Sequence, residues 1–333
     1  MKKIFAAIVC ITIGAALIFL AFNLPTGQIQ SEIQKETETH LYKGETIHEE
    51  RFFLKNSATG NLQRVHMFYT VTNAPAVILV PGGGKSSRDF VETALDGAAD
   101  FVVFTFDPLG RGESQGVENM HGRKDQAFLY HLYKYAQSHS NGSVSVVSFS
   151  FGIAMVAGAL ADYDMPVDVW IDWEGPHDRT FIAHLCLEKR EDMKGLSLKE
   201  KRRIREGMLE KIAQGTAPGE CADDDYWAER EAFYTAERIE KGEIKLYVRL
   251  QGRNDHVHGN FCDHALEMVN KMTASGFTTR LNDGPENMMY TEKTFLEFLY
   301  SPFNSRQKAL DILRDYSRKG DICCLNFRTY LKR

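Results

Sequence analysis

The sequence predicts an α/β protein built on a mainly parallel sheet with helices on both faces, and two patterns carry that expectation. Short apolar runs (Ala76 to Val80, Phe101 to Phe106, Val144 to Val147, Val167 to Asp172, Ile244 to Leu250) alternate with segments of helical periodicity. Strands covered on both sides need no polar alternation, so unbroken runs of this kind suit a parallel sheet. In addition, Val144 to Val147 leads through Ser148-Phe149-Ser150-Phe151-Gly152 into the small-residue segment Ile153 to Leu160. That order is a strand, a sharp turn centred on a serine and a closely packed helix.

The elements follow in chain order. Met1-Lys2-Lys3 precedes an uncharged run from Ile4 to Phe22. As a helix this run would be about 28 Å long at ~1.5 Å per residue, close to the hydrocarbon thickness of a bilayer. Ala21 to Pro25 offers no good small-x-small cleavage pair, so an uncleaved transmembrane anchor is favoured over a signal peptide for residues 1–27. In both cases the lysines stay in the cytoplasm and the bulk is exported, to the periplasm or cell surface, or as a secreted form after cleavage. Residues 28–45 are polar and acidic and read as a stalk. The main domain is expected over 46–333. It opens with β-rich runs Thr46 to Leu54 and Leu62 to Val71, and helices are expected at Arg88 to Leu95, Asp125 to Ser138, Phe261 to Ser275 and Thr291 to Leu299. A last strand is expected at Thr278 to Leu281. The charged stretch 174–243 has apolar positions at helical spacing (Leu198, Ile204, Met208, Ile212) and reads as a helical insertion, with Trp227, Phe233 and Tyr234 as pocket candidates. Residues 302–333 read as a C-terminal extension.

At 333 residues, 43% hydrophobic and 26% charged, the chain can bury the core of one large domain. Its net charge of −5 gives no basic surplus, so no nucleic-acid partner is expected. The six cysteines (10, 186, 221, 262, 323 and 324) have no metal-type spacing. A bridge between Cys186 and Cys221 is permitted in an oxidising compartment but not required. Ser150 is the candidate nucleophile. Its turn is strained, and small residues at 148 and 152 leave room for it.

Four features in order, Gly82-Gly83-Gly84, Asp107 to Ser114, the Ser150 turn and Gly252-Arg253-Asn254-Asp255, give the chain a resemblance to the α/β-hydrolase superfamily over about Thr46 to Tyr300. The likeness is to its dienelactone-hydrolase and acyl-peptidase types. It implies the α/β-hydrolase fold with a helical cap at 174–243, and ester or amide hydrolysis through an acyl-enzyme on a small-molecule substrate. It further implies oxyanion donors at the backbone of Gly83 and Phe151, and Asp255 as the catalytic acid. Each such donor stabilises developing charge by roughly 3 kcal/mol. Asp107 and Gly110 to Gly112 read as a structural turn. No cofactor is implied.

The chain departs from the family at the general base, which the family's pattern would place near Asn287. No histidine occurs after His264, and an amide cannot take the serine proton. Either another histidine reaches Ser150 or the domain binds without cleaving. His256 is the first choice, and His258 and His177 are the alternatives; Glu174 is available to orient the imidazole. His256, His258, Asp263 and His264 also allow a metal reading, but without an acidic companion loop they read as polar side chains facing solvent, and no metal is expected.

Overall fold

The computed structural model describes residues 32–176, 228–253, 265–300 and 305–330. In these residues one sheet of nine strands has the order β1-β2-β3-β5-β4-β6-β7-β8-β9. The strands are β1 (Ile33–Tyr42), β2 (Glu45–Lys55), β3 (Leu62–Tyr69), β4 (Ala76–Val80), β5 (Val102–Phe106), β6 (Val144–Phe149), β7 (Val167–Trp173), β8 (Ile244–Leu250) and β9 (Thr279–Leu281). The first three pair antiparallel, and β3 joins β5 antiparallel. From β5 through β4, β6, β7 and β8 to β9 every pairing is parallel.

Helices lie on both faces. They are α1 (Val91–Gly97), α2 (Arg123–Ser138), α3 (Gly152–Asp162), the short α4 (Ala232–Thr235), α5 (Glu267–Ala274), α6 (Glu292–Glu297) and α7 (Ser305–Tyr330). Alternate residues of each strand feed two separate cores. Ile78, Val146, Trp170 and Tyr247 face α2, α3 and α5, while Val77, Val147, Ile171 and Val248 face α1 and α7. This two-sided burial is why the parallel strands carry no polar alternation.

Three boundaries differ from the sequence reading. The expected stalk at 28–45 contains β1, paired along its length with β2. Its charged residues meet partners on the neighbouring strands: Arg51 reaches Glu38 at 3.1 Å, and Arg64 reaches Glu36 at 3.1 Å. An edge strand held by cross-strand ion pairs is mostly exposed and has the composition of a tether. Residues 228–243, expected within the cap, belong to the main body, because Ala232, Ala236 and Ile239 are buried in the α2–α3 core. Phe233 packs against this core with the Lys271 ammonium 3.8 Å from its ring, while Tyr234 is exposed. The C-terminal extension begins as an integral helix: Ala309, Leu310, Ile312 and Leu313 of α7 complete the second core.

The apolar run 4–22, Cys10, Cys186, Cys221, Cys262, Trp227 and the bulk of the expected cap lie outside the described residues, as do the side chains of Cys323 and Cys324. Among the described residues no helix is long and apolar enough to cross a membrane.

If α7 is part of the core, Leu313→Ala should cost about 2–4 kcal/mol, the usual range for a buried leucine, since Leu313 is only 2% exposed. Urea unfolding measures this; a change below about 0.5 kcal/mol, typical of surface sites, would mean the helix is a loosely held appendage.

Candidate active site

The elbow forms where the sequence places it. β6 ends at Phe149, α3 starts at Gly152, and Ser150 between them takes a left-handed backbone with φ 49°. Non-glycine residues rarely adopt that region, and it stores of order 1–3 kcal/mol. Surrounding backbone holds it: the Ser150 N–H donates to the Trp173 carbonyl at 2.9 Å, and the Ser150 carbonyl accepts from Ile153 N–H at 3.1 Å. A Cβ on Gly152 would lie 2.8 Å from the Pro81 carbonyl oxygen. One on Gly82 would lie 2.7 Å from the Phe149 oxygen and 2.9 Å from the Ser150 Cβ. Both positions therefore require glycine.

Ser148 is spoken for. Its fully buried hydroxyl accepts from the Trp170 indole at 2.9 Å and donates to the Ile171 carbonyl at 3.3 Å. Ser150 is partly exposed, at the carboxyl ends of the parallel strands. Gly83 is exposed beside it, and a Cβ there would lie 3.6 Å from Phe151 Cβ. Among the described residues no backbone carbonyl accepts from the N–H of Gly83 or of Phe151. The structure thus brings Ser150, Gly83 and Phe151 together.

The Asp107 turn is structural. Its carboxylate accepts from the Ser87 N–H at 2.8 Å, the Ser87 hydroxyl at 2.7 Å and the Glu113 N–H at 2.8 Å. Gly112, at φ +54°, has no room for a Cβ against that carboxylate.

Arg111 and His121 escaped the sequence reading as site residues. Arg111, 8% exposed, donates from Nη1 to the carbonyls of Gly82 (2.8 Å) and Lys85 (3.2 Å), and from Nε to Glu118 (2.7 Å). His121 is fully buried, with Nε2 3.4 Å from Arg111 Nη1 and its ring edge-on to Phe151 at 5.5 Å. No signal links these residues to Ser150 in the sequence: His121 lies 29 positions earlier, and its placement depends on left-handed backbones at Met120 and His121 (φ 50° and 62°).

On the other side of the elbow, the loop expected to carry the acid is anchored at its start. Gly252 N–H donates to the Glu174 carboxylate at 3.0 Å, and Gln251 N–H to the Asn282 side chain at 2.9 Å. Glu174, at φ 50°, therefore positions the backbone leading to Asp255. Beneath it Asp172 and Arg249 form a fully buried ion pair at 2.9 Å, and Tyr247 also donates to Asp172 at 2.7 Å. Burial pushes the Asp172 carboxyl up, opposed by the Arg249 charge and these hydrogen bonds. Asp255, His256, His258 and His177 lie outside the described residues. Among the described histidines, His121 packs against Phe151 at the elbow, whereas His40 and His66 hold Glu49 and His139 stacks on Tyr135.

Asn287 is not where the resemblance implies a base. Its backbone N–H donates to the Thr279 carbonyl at 2.8 Å, and its side-chain oxygen accepts from the Thr279 N–H at 3.0 Å. Thr279 opens β9, so Asn287 pairs with the amino-terminal end of that strand, away from the rim. Among the described residues, one group brings three possible metal-ligand atoms within 4.8 Å of one another: Glu38, His40 and Glu49. It lies in the β1–β2 hairpin, and the His40, His66 and Arg51 contacts account for its charges.

No protein-family model matches the sequence, and no curated protein does. Among solved structures, a highly thermostable carboxyl esterase from Bacillus coagulans has a TM-score of 0.54 at 13% identity, covering 80% of this chain and 98% of its own. DcsB, solved with a substrate analogue, has a TM-score of 0.51 at 14% identity, covering 86% and 99%. An α/β hydrolase from Sphaerobacter thermophilus has 0.49 at 15%, covering 79% and 99%. The chain has the α/β-hydrolase fold.

Asp125 links the Arg111 loop to α2, accepting from Leu109 N–H at 3.2 Å and His121 N–H at 3.0 Å. Burial pushes its carboxyl from 3.8 up to about 6, against the pull of those hydrogen bonds, Arg111 and Arg230. The folded protein then holds this proton more tightly than the unfolded chain. Its contribution to stability is fullest below the unfolded value of 3.8 and is lost as pH rises through about 6. The full shift corresponds to order 3 kcal/mol. Asp125→Asn does not titrate, so its deficit against wild type should be largest near pH 4 and smallest near pH 7 in urea midpoints. A deficit that grows with pH would show that the site favours the anion.

Proposed function

We propose that the chain is an exported serine hydrolase that cleaves carboxylic esters, in preference to amides, through an acyl-enzyme on Ser150. The observation that carries this reading is the left-handed Ser150 backbone beside the Gly83 and Phe151 N–H groups. The resemblance of the four motifs supports it, and so does the likeness in fold to a protein described as a carboxyl esterase.

In this mechanism the Ser150 hydroxyl attacks the ester carbonyl, and charge developing on the oxygen is met by the N–H groups of Gly83 and Phe151. His256 takes the serine proton and delivers it to the leaving alcohol, with His258 and His177 as alternative bases. Asp255 stabilises the imidazolium, and Glu174 holds the strand-to-loop junction that leads to Asp255. Water then attacks the acyl-enzyme with the same imidazole as base. Substrates are small-molecule esters or acyl compounds. No cofactor enters.

A second reading, a binding protein on a catalytically degenerate hydrolase fold, is favoured by one observation: the loop after β9 has no histidine, and Asn287 is committed to Thr279. Labelling by a fluorophosphonate probe separates the two, because it requires an activated serine. Ser150→Ala should abolish labelling and hydrolysis of p-nitrophenyl esters while changing Tm by under about 2 °C, since a partly exposed hydroxyl contributes little packing. Activity that survives in Ser150→Ala would remove the nucleophile assignment; a wild type inert to probe and esters would support the binding reading.

The run 4–22 supports attachment to the membrane through an N-terminal helix, with the hydrolase domain outside the cytoplasm. Full-length protein should remain in membranes after carbonate washing and expose its bulk to external protease. A soluble mature form beginning near Thr26 would instead establish a secreted, cleaved product.

A further inference from the structure

We infer that Arg111 is a positioning residue for the oxyanion hole: it orients and polarises the Gly82–Gly83 peptide, while His121 braces the second donor through Phe151. The inference rests on the acyl-transfer reading of Ser150.

Gly82, Gly83 and Gly84 are three consecutive glycines, the residues with the greatest backbone freedom. The turn they form is closed by the Lys85 N–H donating to the Gly82 carbonyl at 3.1 Å, with Gly84 at φ +70°. Arg111 adds a second, charged donor to that same carbonyl at 2.8 Å and another contact to Lys85 O at 3.2 Å. A trans peptide is planar, and its C=O and N–H point in opposite directions. Pinning the Gly82 oxygen therefore pins the Gly83 N–H. A cation on the carbonyl also draws electron density through the peptide, which strengthens its N–H as a donor.

The guanidinium is itself held. Glu118 accepts from Nε at 2.7 Å and pairs also with Nη2. Nη1 lies 3.4 Å from His121 Nε2, and the His121 ring packs edge-on against Phe151, whose N–H is the other donor. Arg111 thus touches the Gly82–Gly83 peptide directly, and through His121 the same buried cluster reaches the side chain of Phe151.

The test uses full-length wild type, Arg111→Met, Arg111→Lys and Glu118→Gln, read by p-nitrophenyl ester kinetics, thermal melting and the ¹⁵N-glycine amide spectrum, with Gly83 assigned by its loss in Gly83→Ala. Removing an oxyanion donor costs about 10²–10³-fold in kcat. Misaligning and depolarising one should cost roughly 10–100-fold in Arg111→Met, with KM within about two-fold. Arg111→Lys should recover part of that loss, and Glu118→Gln should lie between. The Gly83 amide should move upfield in Arg111→Met and partly return in Arg111→Lys. Should Arg111→Met not fold, the lysine and Glu118→Gln variants carry the same comparison. The inference is overturned if kcat is unchanged, if it falls only in proportion to folded protein, or if the Gly83 resonance stays in place. An inert wild type would remove the hydrolase reading, and the Gly83 resonance would still decide whether Arg111 polarises this peptide.

Discussion

The architecture of the site depends on one steric constraint, the contact between two backbone turns with no side chain between them. Parallel pairing sets Val80 of β4 against Ser148 of β6, so the chains leaving these strands emerge side by side. Gly82 then meets Phe149 and Ser150, and Gly152 meets the Val80 and Pro81 carbonyls, at distances that exclude a Cβ. Ser150 can hold a left-handed backbone because this packing, together with the Trp173 carbonyl bond, leaves it no other conformation. The left-handed serine, the glycine loop and the helix start are consequences of that single contact.

Buried charges do what apolar packing cannot, which is to aim loops. On one flank Arg111, Glu118 and Asp125 tie the post-β5 loop to the glycine turn and to α2. On the other, Asp172 and Arg249 sit beneath the ends of β7 and β8, with Glu174 and Asn282 fastening the chain that leaves β8. Ion pairs of this kind contribute little net stability, since desolvation offsets much of the attraction. Their value here is geometric, because each bonds a specific backbone group at the rim.

Most of the fold was legible in the sequence because two-sided burial writes itself as unbroken apolar runs. β4 and β8 coincide with the expected runs residue for residue, and the elbow followed from small residues placed around a serine. Illegible parts are those stabilised by pairing rather than burial. β1 is charged along both faces and looks like a tether until Arg51 and Arg64 are seen across from it. The segment 232–239 sits in a stretch dominated by charge, and its return to the core is announced only by Ala232, Phe233, Ala236 and Ile239. In the candidate site, the sharp turn at Ser150 was readable because small residues on either side of it define a backbone turn. Arg111 and His121 were not, since their roles arise from contacts between loops that no local pattern encodes.

The same distinction bears on the missing late histidine. The chain leaving β9 is used as a latch: Asn282, fully buried at φ 53°, donates to the Gln251 carbonyl at 2.9 Å and the Phe298 carbonyl at 2.7 Å. Gly284 follows in a turn where a Cβ would lie 2.9 Å from the Leu281 oxygen and 3.0 Å from both Phe298 and Tyr290. Asn287 then closes the loop against the start of β9. An imidazole reaching Ser150 from this loop would have to break the latch that also fixes Gln251, and with it the approach to Asp255. A histidine written into position 287 would therefore not by itself rebuild the family's arrangement. Under the hydrolase reading a base for Ser150 would have to arrive on a different segment, because this loop is committed to Gln251, Phe298 and Thr279.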